Sequence, residues 1–167
     1  MLRWLGKIIG RSRSETKIGH QRDPGNSSLD RYLRRLLEVQ KELGEIGNFL
    51  KESASHIKPQ APEKDFMKQI AEEVNKQMIP GFRAYYLAQE GMALLKLIAI
   101  TIAVFKSNTA AENTEQRQNL EVLSKYIDEA ELLLRQTLDS MEPYKTLDSN
   151  KIVEAIAARM AERKKTQ

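Results

Sequence analysis

The residues able to do chemistry are few and scattered. The chain has two histidines, His20 and His56, and no cysteine. Without thiols there is no disulfide, thiolate metal site or cysteine nucleophile, and the redox compartment stays open. Glu52 and His56 stand one helical turn apart, where they could share a metal or hydrogen-bond each other. The same spacing is that of an ordinary surface pair. A di-iron carboxylate centre in a helical core needs inward glutamates and two Glu-x-x-His pairs. Neither histidine has a glutamate three residues before it. There is no H-E-x-x-H, no Gly-rich phosphate loop and no nucleophile elbow. We therefore assign no catalytic residue, no metal ligand and no cofactor, and expect a protein that is not an enzyme.

Lys96 is the most informative polar residue. It is the only charge in Met92 to Phe105, where Thr101 is the only other polar residue. A charge in such a run must be paired, must reach water with its stem buried, or must face a cavity. A lysine with depressed pKa could serve as a base or Schiff-base former. Glu90, Lys96 and Thr101 do not share one helix face, so they form no site by themselves.

The elements that would position these residues are helices. A helix apolar nearly all round is the buried centre of a bundle or a membrane span. Met92–Phe105 is fourteen residues long, short of the roughly 20 that a span needs. Extension back to Ala84 takes in Gln89 and Glu90. The expectation is the central helix of a soluble bundle, with a single span near 84–105 as the alternative.

Around it the apolar stripes repeat at three and four. Leu29, Leu33, Leu36, Leu43, Ile46, Leu50 and Ile57 predict a helix over 29–57, capped by Ser28. Phe66, Ile70, Val74 and Met78 predict one over 63–79. Pro80-Gly81 should then break or sharply kink the helix, because proline removes a main-chain bond and clashes one turn back. The central helix is expected over 82–106. Leu120, Leu123, Ile127, Leu134 and Leu138 predict a helix over 114–141, capped by Thr114 and stopped by Pro143. A last helix over 150–163 is expected, capped by Ser149. No stretch alternates with period two over strand length.

The predicted fold is all-α, an antiparallel helical bundle of three long and two shorter helices. Gly44 and Gly47 should let their helix approach Ala84, Ala88 and Gly91 closely. Two regions follow: an arm and linker over 1–28, and the bundle domain over 29–167.

Charge separates the same two regions. The chain has 167 residues and a net charge of +4. Residues 1–22 carry six basic side chains against Glu15, a net of +5, so the remainder is almost neutral. A generally basic nucleic-acid-binding body is not supported. Leu2, Trp4, Leu5, Ile8 and Ile9 cover one side of a helical wheel, with Arg3 and Lys7 opposite and Arg11 at the boundary. With Arg13, these residues have the pattern of an interfacial helix on an anionic membrane surface. A helix folded back on the bundle and an organelle transit peptide are the other readings of the arm.

The expected function is a non-catalytic helical interaction module. It would bind a protein partner of unknown identity and be cytoplasmic, peripheral at a membrane through its N-terminus. The alternatives are a small membrane protein with one span and a nucleic-acid-binding protein with a basic arm. Nucleic acid is the least favoured partner, because no helix-turn-helix spacing or RNA-binding aromatic signature accompanies the arm.

Overall fold

Apolar stripes at helical spacing become helices throughout. The computed structural model describes residues 24–53, 55, 57, 62–109 and 113–166. Among them are four α-helices, a short 3-10 turn after the third helix and no strand. They are α1 (Pro24–Ser53), α2 (Glu63–Asn108), α3 (Thr114–Met141) and α4 (Ser149–Thr166), with the 3-10 turn Glu142–Tyr144 between α3 and α4. Residues 1–13, His20 and His56 lie outside the described residues, so the membrane-binding assignment and the Glu52–His56 pair are not addressed by them.

Among the described residues the expected five helices are four, because Pro80 does not break the chain. It lies inside the single 46-residue helix α2. A proline in a helix interior costs ~3 kcal/mol, and here packing on both sides of it wins. Ile70, Val74 and Gln77 before it are buried, as are Gly81, Ala84 and Leu87 after it. A few fully buried apolar side chains, at ~1.5–3 kcal/mol each, offset one proline.

The helix ends also shift. Helix α1 begins at Pro24 and ends at Ser53, so Ser28 is an internal residue and not the N-cap. Proline suits a first helical position because its missing N–H would have had no partner there. For α3 the cap is Asn113, not Thr114: its side chain accepts from the Gln116 backbone N–H at 3.2 Å. Ser149 is the first residue of α4, and Asp148 does the capping by accepting from the Asn150 N–H at 3.0 Å.

Helix α2 is the common packing partner. Arg35 of α1 meets Glu90, and Ser53 meets Gln77, so α1 runs antiparallel to α2. Leu134 of α3 approaches Gly91 and Arg117 reaches the Thr109 carbonyl, so α3 is antiparallel to α2 as well. One apolar cluster joins Leu36 and Val39 of α1 to Leu95, Ile98 and Ile102 of α2 and Ile127 of α3. A second joins Leu50, Ile70, Val74, Tyr144, Ile152 and Ile156 at the other end.

The expected meeting of small residues is half realised. Ala84, Ala88 and Gly91 are buried. A Cβ at Gly91 would stand 3.0 Å from Leu134 Cδ1 and 3.4 Å from Val39 Cγ1, so both neighbouring helices come close there. Gly44 and Gly47 instead are exposed, and a Cβ on either would meet nothing within 4 Å. They line a groove of 540 Å³ between α1 and α3, with Ala84 beside them. Their lack of side chains thus serves no packing among the described residues. Gly44→Ala and Gly47→Ala should each raise stability by up to ~1 kcal/mol, the helix-propensity difference. Urea unfolding of the two variants beside the parent checks this.

Candidate functional site

Helix α2 is apolar on more of its circumference than its neighbours cover. Helices α1 and α3 pack on one side, where Leu94, Leu95, Ile98 and Ile102 are buried. On the opposite side Ala93, Leu97, Ile100 and Val104 follow at steps of four, three and four, a straight stripe. Leu97 is 42%, Ile100 62% and Val104 53% exposed. Tyr86 and Ile79 continue the stripe backwards at steps of seven, 49% and 65% exposed. The Phe82 ring packs on Tyr86 with centroids 4.7 Å apart, and Tyr85 meets Tyr86 edge-on at 5.5 Å. From Ile79 to Val104 the stripe is about 37 Å long at the helical rise.

This corrects the expectation of a helix buried all round. Lys96 reaches water, one of the courses expected for it: it is exposed at the edge of the stripe. Its charge sits in water, so the fold demands no buried carboxylate for it. Thr101 adds no polarity to the outer side, because its hydroxyl donates to the Leu97 carbonyl at 2.8 Å. Ser107 does the same toward Val104 at 2.8 Å.

One border of the stripe is ionic. Arg35 of α1 grips Glu90 through two bonds, Nε to Oε1 at 2.7 Å and Nη2 to Oε2 at 2.9 Å. Arg35 also bonds Glu38 at 3.0 Å, and Arg83 pairs with Glu42. The hydrogen bonds from Arg35 hold the Glu90 carboxyl below its ordinary range, against the opposing effect of desolvation. The same pairing raises Arg35. A carboxylate with lowered pKa adds stability that is present above its unfolded pKa and lost as pH falls through the folded one. Both side chains are 40% exposed, so solvent screening keeps the pair's contribution small. Glu90→Gln should therefore cost under about 1 kcal/mol at pH 7. It should cost nothing at a pH where Glu90 is protonated in both states. Thermal melts of both proteins from neutral to acid pH give the difference.

A second polar constellation is buried at the other end, and its spacing gave no signal in sequence. The Tyr144 hydroxyl donates to Gln77 Oε1 at 2.7 Å, and Arg159 Nη2 donates to the same oxygen at 2.9 Å. Arg159 also bonds the Leu50 carbonyl at 3.1 Å and pairs with the Tyr144 hydroxyl. Gln77 Nε2 donates to Ser53 Oγ at 2.9 Å and to Glu73 Oε1. Burial raises the Tyr144 phenol above its ordinary pKa, while Arg159 pulls it the other way. Tyr144 and Gln77 are 0% exposed, so the cluster joins α1, α2, the 3-10 turn and α4 rather than opening to a substrate.

Among the described residues no three His, Cys, Asp or Glu side chains are grouped to hold a metal ion. The outer side of α2 is thus the feature that packing leaves unexplained. Large exposed apolar patches on soluble proteins mark protein or membrane contacts, ligand grooves or aggregation hazards. Comparison with protein-family models, curated proteins and solved structures finds no match to this chain.

Proposed function

We propose that the chain is a non-catalytic helical bundle module for interaction. Its docking surface is the outer side of α2, and residues 1–13 bring it to an anionic membrane surface. The observation that carries the docking surface is the exposure of Leu97, Ile100 and Val104 in one line on the side of α2 away from α1 and α3. Each is about half exposed, so covering the rest of the side chain would add roughly 1 kcal/mol, which a partner can supply. The membrane part rests on the sequence of the arm. Trp4 and the aliphatic residues 2, 5, 8 and 9 lie opposite Arg3 and Lys7, and near an anionic surface each cation adds about 1 kcal/mol of attraction.

A second reading has its own observation. An 18-residue window of α2 reaches a mean hydropathy of 1.7, enough by length and composition to cross a membrane, and only 39% of it is buried by the rest of the chain. The pairs Arg35–Glu90 and Arg83–Glu42 weigh against it, because a span would draw the charged side of α1 toward hydrocarbon. Fractionation of cells in low salt, high salt and carbonate separates the readings. Release by salt supports peripheral binding, since screening weakens the cations. Resistance to carbonate supports a span. A protein found wholly in the soluble fraction under all three conditions removes the membrane from the proposal.

A further inference from the structure

The outer stripe of α2 is symmetric about Ala93. Toward the C-terminus Leu97, Ile100 and Val104 follow at steps of four, three and four. Toward the N-terminus Gln89, Tyr86 and Phe82 follow at the same steps. Phe82 is half-buried and the rest of the set is exposed. A two-fold interface needs a patch of this kind, because one surface serves both copies and a contact of i with j is also one of j with i. A different protein would need no such symmetry.

Two α2 helices laid antiparallel, with Ala93 on the axis, put Tyr86 beside Ile100 of the second copy, Phe82 beside Val104 and Gln89 beside Leu97. Each layer occurs twice, and each aromatic ring meets an aliphatic side chain. Ala93 meets itself, and so small a residue at the crossing lets the helix axes approach to about 8 Å. The borders suit the same pairing, since in an antiparallel two-fold pair each border meets its own copy. One border carries Arg83 and Glu90, already paired with Glu42 and Arg35, so it does not repel itself. The other carries Lys96, which comes beside Gln89 of the second copy. Gln89 Nε2 donates to the Tyr85 hydroxyl at 3.1 Å, which leaves Oε1 to accept. The two Lys96 positions stay about 9 Å apart along the helices. A parallel pair would instead set Tyr86 on Tyr86 and Gln89 on Gln89.

We propose that the partner of the α2 stripe is a second copy of this chain, docked antiparallel about a two-fold axis at Ala93. The inference rests on the docking surface of the proposed function and names its occupant. Tyr86, Leu97, Ile100 and Val104 are 42–62% exposed. With Phe82, Gln89, Ala93 and the stem of Lys96 they offer roughly 600 Å² on each copy, the low end for a specific interface. The dimer is therefore one of micromolar rather than nanomolar affinity.

Sedimentation equilibrium of the full chain, from micromolar to near-millimolar concentration, should show monomer passing to dimer. Ala93→Glu and Ile100→Asp should each raise the dissociation constant at least about tenfold, because each buries its charge twice in one interface. Val122→Asp, at an exposed apolar site on α3, should leave the dimer unchanged. Circular dichroism shows whether each variant keeps its helices. A monomer at every concentration overturns the inference, as does a dimer indifferent to both Ala93→Glu and Ile100→Asp. A monomer that pellets with phosphatidylcholine vesicles, and ceases to on Ile100→Asp, overturns it in favour of a membrane as the occupant.

A second measurement does not depend on a charged substitution and reads the orientation. The chain has no native cysteine, so under mild oxidant Ala93→Cys should cross-link to itself. Tyr86→Cys mixed with Ile100→Cys should cross-link to each other faster than either does to itself. The reverse order would mean a parallel pair and overturns the arrangement. The docking surface itself fails separately: a monomer whose stripe is nevertheless shielded in cells keeps the surface and loses only the second copy as its occupant.

Discussion

Gly81→Ala should destabilise the protein by about 3 kcal/mol, the high end for overpacking a filled core. A Cβ at position 81 would stand 2.6 Å from Tyr144 Cε1 and nearer still to Cγ and Cδ1 of the ring. Real Cβ contacts do not come so close. The ring has little freedom to yield, since Tyr144 is 0% exposed and its hydroxyl is held by Gln77 and Arg159. The helix propensity of alanine would return up to ~1 kcal/mol, which the clash exceeds. Urea unfolding measures the loss. The cause is separable with a double mutant. On a Tyr144→Leu background the same substitution should cost much less, because the two effects share one contact. A loss of the same size on both backgrounds would mean that the ring is not the obstacle.

Gln77→Leu should be comparably damaging, at about 3 kcal/mol or more, because it strips partners from several buried groups at once. Gln77 accepts from both the Tyr144 hydroxyl and Arg159, and donates to Ser53. Leucine fills similar space but meets none of these needs. The arrangement has a signature in pH as well. The Tyr144 phenol is raised by burial, so its stabilising effect is present below the unfolded pKa of about 10 and is lost as pH rises through the folded value. Tyr144→Phe should be less stable than the parent at neutral pH, where the hydroxyl bond is missing. The gap should narrow in alkali, where only the parent must ionise a buried phenol or pay to keep it neutral. Stability curves of the two proteins from pH 8 upward test the sign.

These two sites show what could be read before coordinates and what could not. The stripe Leu120, Leu123, Ile127, Leu134 and Leu138 has one clear period, and its helix is found at Thr114–Met141 as expected. Pro80 misled because its local penalty is visible in the sequence, whereas the burial of Val74, Gln77, Gly81 and Ala84 around it is not. Gly44 and Gly47 looked like a close-packing surface, yet Gly81 and Gly91 are the glycines that neighbours crowd. Gln77, Tyr144 and Arg159 are far apart in the chain, on three elements, and no spacing rule joins them. The outer side of α2 was hidden for another reason. Periodicity marks a face only by contrast with polar residues, and Met92–Phe105 offers almost none. Nothing in that run distinguishes Ile98, which is buried, from Ile100, which is 62% exposed.

That difference is also where the proposed function is most directly tested. The chain has no native cysteine, so single cysteines at positions 97, 100 and 104 can be compared in intact cells with one at Lys125, an exposed position on α3. A membrane-permeant maleimide reads whether each site meets water. In the isolated chain with residues 1–13 removed, all four should label readily, since each of the four positions is exposed. In cells the full chain should label severalfold more slowly at 97, 100 and 104 than at 125, because the stripe is covered by its partner. Equal rates at all four positions in cells would mean that the outer side of α2 stays in water, and the interaction surface proposed for it would be wrong.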